Sequence, residues 1–194
     1  MLTEQQGHIL LRLARCQIEN HLEVKGSSLI SPAEFTQPNF LKKRGVFVTL
    51  HKQDALRGCI GSLAAVNILE GIKHNALHAA FQDYRFEPLA AAELPDIHIE
   101  ISLLTVPQPL AYETADELTG RLRPGIDGVI IKGPGNATAT FLPQVWQQLP
   151  TPQLFLGHLC RKAGLAEDAW CTGNLQVLTY QVQSFEEPRQ AEIK

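Results

Sequence analysis

The segment Leu56-Arg57-Gly58-Cys59-Ile60-Gly61 brings a guanidinium, a thiol and two glycines together in one short stretch. If it is extended, Leu56, Gly58 and Ile60 point one way and Arg57, Cys59 and Gly61 the other. Arg57 and Cys59 are then neighbours on one face, roughly 6.6 Å apart along the strand. A nearby guanidinium favours thiolate over thiol, and backbone N–H groups bared by Gly58 and Gly61 can assist an anion. Glycine weakens a strand interior, so the pair also implies a bulge or the close approach of another backbone or a ligand. Two readings stay open. Either Arg57 and Cys59 face an anionic ligand, with Cys59 as a nucleophilic or redox-sensitive sulfur, or Cys59 is a small hydrophobe in a tight strand and Arg57 is anchored by a carboxylate such as Asp83.

The run Asp83-Tyr84-Arg85-Phe86-Glu87-Pro88 offers more of the same chemistry. Asp83 and Arg85 can join Arg57 in an ionised cluster, where guanidinium groups take carboxylate or phosphate bidentately. The plainer reading is a loop clamp, with Phe86 and Pro88 packing and Arg85 paired to a carboxylate. His74 and His78 have i, i+4 spacing compatible with zinc, but Asn75 follows His74 and no third ligand is identifiable, so they read as surface histidines. His51 can approach Cys59 across a hairpin, though a slip of one residue reverses its face. Gly133-Pro-Gly-Asn136 lacks the G-x-x-x-x-G-K-[ST] pattern and reads as a hairpin turn rather than a phosphate loop. Asp127 caps a turn or faces a groove, while Trp146, Phe155 and Trp170 read as core.

These residues need elements to hold them. Thr3 and Gln6 have capping-box spacing, and Ile9, Leu10, Leu13, Ala14, Ile18 and Leu22 follow on one helical face, with Gly26-Ser27-Ser28 as the stop. A loop is expected over 31–39. Val46 to Leu50 and Leu56 to Ile60 read as a hairpin turning at Lys52-Gln53-Asp54, and a helix capped by Asn67 runs to Gln82. In Ile97 to Leu103 isoleucine and leucine alternate with His98, Glu100 and Ser102, so one face is buried and the other is wet or lines a cavity. A hairpin over 128–142, a short helix from Pro143, a helix capped by Thr151 with Leu154, Phe155, Leu159 and Ala163 inward, and a strand over 175–182 complete the chain. The tail from Glu186 should fray. Hairpins mixed with single helices imply an α+β fold with mainly antiparallel sheets and flanking helices.

Composition narrows the setting. With 194 residues, 44% hydrophobic and 19% charged, the chain has the make-up of an ordinary globular protein. A net charge of −3 and a pI near 6.2 argue against nucleic acid as partner, and Lys42-Lys43-Arg44 reads as a solvated loop or strand entrance. No apolar run suits a membrane span, no signal peptide is visible, and the expected location is cytoplasmic. Cysteines 16, 59, 160 and 171 form no C-x-x-C pair, so free thiols are expected, with neither a metal nor a cofactor implied.

The hexapeptide, preceded by Arg44-Gly-Val-Phe-Val-Thr-Leu50, resembles the signature of the AMME syndrome candidate gene 1 family, whose bacterial members are called AmmeMemoRadiSam system protein A. The resemblance continues through Asn75-Ala76, Ala79-Ala80-Phe81 and Asp83 to Leu89. It then takes in Ile99 to Leu104, Gly125 to Gly128, Thr140 to Val145, Phe155-Leu156, Lys162 to Leu165 and Trp170. Tyr84 departs from it, standing where the family often has proline. The resemblance implies one family domain over residues 1–185, built of two unequal, packed lobes around a shared groove, with 186–194 as tail. It also implies a groove near Leu56–Gly61 with Cys59 as the catalytic candidate and Arg57, Gly58, Gly61, Asp83 and Arg85 as ligand-binding candidates. Relatives that occur beside a Memo-like protein and a radical S-adenosylmethionine enzyme imply a component of a modification pathway with those partners. Whether this component is an enzyme or a non-catalytic adaptor is left open.

Overall fold

The computed structural model describes residues 1–24, 30–172 and 174–188. Contacts divide the chain into two compact units, residues 1–104 with 183–194, and residues 105–182. The second unit is thus inserted in sequence between two strands of the first.

In the first unit, helix α1 (Glu4–His21) starts as its capping box dictates: the Gln6 N–H donates to Thr3 Oγ1 and the Thr3 N–H to Gln6 Oε1. The expected stop at Gly26-Ser27-Ser28 lies outside the described residues. The stretch read as plain loop contains two 3-10 turns, Pro32–Phe35 and Pro38–Leu41, each with proline in its first turn. The hairpin is longer than its apolar runs suggest, with β1 at Lys43–Lys52 and β2 at Ala55–Asn67. Gln53 and Asp54 turn it with φ of 51° and 64°, the left-handed pair that matches strand twist. Helix α2 (Ile68–Phe81) begins at Asn67, whose side chain accepts from the Leu69 and Glu70 N–H groups. β3 (Ile97–Leu104) follows.

β4 (Gln108–Pro109), helix α3 (Ala115–Arg121), β5 (Gly128–Lys132), β6 (Thr138–Phe141), helix α4 (Pro152–Lys162) and β7 (Gln176–Tyr180) lie in the second unit. β8 (Val182–Glu186) returns to the first. One sheet has the order β2-β1-β3-β8 and the other β4-β7-β5-β6; the strand pairs of defined register are antiparallel, and the fold is α+β. What reads as a single last strand over 175–182 is therefore two strands in two sheets. Of the tail expected to fray from Glu186, that residue ends β8 and Glu187 pairs with Arg15 at 2.5 Å, while 189–194 lie outside the described residues.

The first core packs Leu10, Ala14 and Ile18 of α1 and Ile68, Ile72, Ala76 and Ala80 of α2 with Val46, Val48, Leu50, Ile97, Ile99, Ile101 and Leu103. The alternating isoleucines of β3 thus point to the helices, as their period requires. The second core gathers Val129, Ile131, Trp146, Phe155, Leu156, Leu159 and Val177, with Trp146 stacked on Phe155 at 3.8 Å between ring centroids. Leu154 is not in it. The helix places it 47% exposed, and Leu156 and Cys160 occupy the inward face instead. Among the described residues no helix is long and apolar enough to cross a membrane.

Candidate functional site

β2 is an edge strand, so alternate backbone groups of the hexapeptide look outward from the sheet. Cys59 exposes both of its own. Its N–H donates to Asp83 Oδ2 at 2.9 Å, and its carbonyl accepts from Arg85 Nη2 at 3.4 Å. Asp83 and Arg85 bind each other through Nε–Oδ1 at 2.9 Å and Nη2–Oδ2 at 2.7 Å, and the Arg85 N–H also donates to Oδ1. The ion pair therefore does for Cys59 what a neighbouring strand would do. Hydrogen bonds from Arg85 hold the buried Asp83 carboxyl well below the usual carboxylate range, and Asp83 in turn raises the Arg85 guanidinium. The Phe86 N–H donates to the Asp83 carbonyl, closing the turn that holds Tyr84.

Arg57 is anchored by Glu93, not by Asp83. Its Nε and Nη2 donate to Glu93 Oε1 and Oε2 at 3.1 and 3.0 Å, and Nη2 also reaches the Glu87 carbonyl. Lys52 Nζ donates to the same carboxylate, and chiefly through Arg57 the Glu93 carboxyl is pulled down to about 2. The Phe86 ring is within cation–π range of both guanidinium groups, 5.9 Å from that of Arg57 and 5.4 Å from that of Arg85.

The predicted alternation holds from Gly58 to Gly61, whereas the register shift at Leu50/His51 sets Leu56 opposite His51 and Gly58 opposite Leu50, so Leu56 does not share the face of Gly58. The glycines take a packing role. A Cβ on Gly58 would lie 2.1 Å from the Ala79 carbonyl oxygen, so α2 can approach β2 this closely only at a glycine. A Cβ on Gly61 would strike the Phe47 ring. Neither position is left open for a ligand on that account; of the two readings of the glycines, close approach of neighbouring chain is the one the geometry supports.

Cys59 is half-buried and receives the Thr49 hydroxyl at 3.3 Å from its sulfur. Thr49 stands opposite Cys59 on one side and Glu100 on the other. His51, by contrast, pairs with Leu56 beyond a register shift at Leu50/His51, and its Nε2 faces Glu100 at 3.5 Å. The Cys59–His51 pair is thus not formed. The His74 and His78 rings lie tilted with centroids 3.7 Å apart, and desolvation, followed by the neighbouring His74, lowers the His78 imidazole. Among the described residues no three His, Cys, Asp or Glu side chains are placed to hold a metal. Gly133 to Asn136 turn the β5–β6 hairpin with positive φ at Gly135 and Asn136. Asp127 is a buried cap for Arg123, bound to its N–H and Nε at 3.0 Å.

The structure therefore brings Arg57, Cys59, Asp83 and Arg85 together and adds Thr49, Glu93 and Glu100, which motif reading missed. Glu100 carried a signal in the alternation of β3; Glu93 and Thr49 needed register and loop path.

The AMMECR1 family model matches residues 11–185. The chain belongs to the AMMECR1 family. A protein of Thermofilum pendens (strain DSM 2475 / Hrk 5) is 38% identical, covering 96% of this chain and 92% of its own length. One from Methanosarcina barkeri (strain Fusaro / DSM 804) is 40% identical with coverage of 96% and 93%. The crystal structure of the uncharacterized protein PH0010 from Pyrococcus horikoshii superposes with a TM-score of 0.79 at 32% identity, over 98% of this chain and 95% of that one. Within the AMMECR1 family frame, the hexapeptide and the Asp83–Arg85 clamp form one structural unit.

Proposed function

We propose that this AMMECR1-family chain is a cytoplasmic small-molecule-handling component of a modification pathway of the AmmeMemoRadiSam type. Its ligand lies over the helix-free face of the first sheet, with an anionic group toward Arg85 and its reacting part at Cys59. The observation that carries this reading is the sorting of the sheet's two faces. Val46, Val48 and Leu50 of β1 and the isoleucines of β3 turn to the helices, whereas Phe47, Thr49, Cys59, His51, Glu100 and Ser102 share the opposite face without a helix of the same unit upon it. Arg85 keeps 42% of its side chain exposed while its Nε and Nη2 hold Asp83, so the outer edge of the guanidinium can meet an anion.

Iodoacetamide labelling at neutral pH, read peptide by peptide, tests the site with internal standards in the same chain. Exposed Cys171 should label first, half-buried Cys59 next, and buried Cys16 and Cys160 only on unfolding. Millimolar phosphate or citrate should slow Cys59 alone. Labelling of Cys59 only together with Cys160 would remove it as a reacting group.

A second reading, a non-catalytic adaptor for a Memo-like protein and a radical S-adenosylmethionine enzyme, is favoured by Tyr84. It stands 96% exposed beside Arg85 and Phe86, the residue types that anchor protein interfaces. Under it, Cys59→Ser leaves binding of the purified partners unchanged and Tyr84→Ala weakens it at least tenfold; the opposite pattern favours the ligand reading.

A further inference from the structure

The face that carries Cys59 continues across β1 and β3, where His51 and Glu100 meet His98, Glu186 and Asp54, three side chains on which the reading above does not call. Register sets His51 opposite His98 and Thr49 opposite Glu100, so the two imidazoles and Glu100 project from one face in adjacent rows. Glu186 reaches in from β8 and Asp54 from the β1–β2 turn. These five line a concavity of about 170 Å³. All are ionisable, and Lys52 and Arg57 are both engaged by Glu93.

Spacing within the concavity is informative. His51 Nε2 stands 3.5 Å from Glu100 Oε2, and His98 Nε2 stands 3.7 Å from Glu186 Oε2. Both separations exceed the roughly 2.7–3.2 Å of an N–H···O hydrogen bond. His98 Nε2 is moreover a buried side-chain nitrogen with no hydrogen-bond partner among the described residues. An imidazole nitrogen without a proton and a carboxylate oxygen are both acceptors, and a donor about 2.9 Å from both serves both. Glu100 is fixed for this by the Ser102 hydroxyl at 3.1 Å, which in turn meets Ser184.

Glu100 and Glu186 set two carboxylates against the imidazole nitrogens, so the occupant of the lining is a cation. Because no three of the described donors converge on one point, the arrangement suits N–H groups that fan out rather than a single metal ion. We infer that this cup binds a small organic cation, an amine or guanidine, whose N–H groups bridge the His51–Glu100 and His98–Glu186 pairs. The inference does not rest on anion binding at Arg85 or on reactivity at Cys59, and either can fail alone.

Imidazole resonances of His51 and His98 in the full chain, followed by NMR at pH 7.5 during titration with agmatine, test it directly. Agmatine carries a guanidinium and an ammonium, and pentane-1,5-diol serves as a neutral control. Saturable shifts of both imidazoles are expected with agmatine and none with the diol. Glu100→Gln should weaken agmatine at least tenfold. Glu186→Gln should do likewise, and at 52% exposure of the Glu186 side chain this variant tests the cup without disturbing a core. Absence of saturable shifts overturns the inference, as does agmatine binding unaltered in Glu186→Gln. Saturation by Zn²⁺ alone overturns it too, by making the cup a metal site.

Discussion

At Asp83 a single carboxylate accepts from the Cys59 N–H and from the N–H, Nε and Nη2 of Arg85. Removing one partner leaves buried groups unsatisfied, and the two partners differ in what is left behind. Asp83→Asn strands a guanidinium that can turn to water, because the Arg85 side chain is nearly half exposed. It also sets an amide N–H₂ against N–H donors, and a cost of about 2 kcal/mol is expected. Arg85→Ala strands the carboxylate itself, which is buried, and should cost about 3 kcal/mol despite its backbone donors. Urea unfolding of both variants checks the order. Equal small losses would mean that the pair is a surface ion pair with no hold on the edge strand.

Between elements, the tightest constraint is the contact of β2 with α2. Gly58→Ala drives a methyl into the Ala79 carbonyl, and backbone cannot swing aside as a side chain can. We expect a loss of about 3 kcal/mol or more in thermal or urea unfolding. Gly120→Ala, in exposed α3 with nothing within 4 Å of the added carbon, should gain about 0.5 kcal/mol through helix propensity. If the two variants behaved alike, close packing at Gly58 would be wrong. Local rules made much of this legible: the Thr3 capping box, Asn67 as a cap, the alternation of β3 and the hexapeptide each depend on neighbours in sequence. What stayed hidden depends on pairing. β8, Val182-Gln-Ser-Phe-Glu186, has little apolar pattern and is a strand because β3 offers it an edge. β2 outruns its apolar stretch through the irregular register between Arg44 and Val46. Thr49 beside Cys59, and Glu93 rather than Asp83 on Arg57, follow from register and loop path that no motif encodes.

Over the whole molecule, the carboxyls drawn down around the hexapeptide tie one unit's stability to acid. Asp83 is held below the ordinary carboxylate range and Glu93 at about 2, both by arginine hydrogen bonds in the first unit. A depressed carboxyl stabilises the folded state fully above its unfolded pKa and loses that contribution as pH falls through its folded value. The loss therefore begins near pH 4.5, the ordinary glutamate value, and runs down to about 2 for Glu93, with Asp83 continuing lower. Each such group adds a slope of up to about 1.4 kcal/mol per pH unit within its window. In the second unit Glu117 is drawn down as well, by the Glu113 N–H and Arg121, but on the surface, where water and salt screen the interaction. Amide hydrogen exchange between pH 4.5 and 2.5 should then show protection falling first in β1, β2 and α2, while β5 and β7 hold longer. The double variant Asp83→Asn with Glu93→Gln should be weaker at neutral pH yet flatter across that range. Earlier loss in β5 and β7, or an unchanged slope in the double variant, would place the acid-sensitive groups elsewhere and detach the hexapeptide clamp from the stability of its sheet.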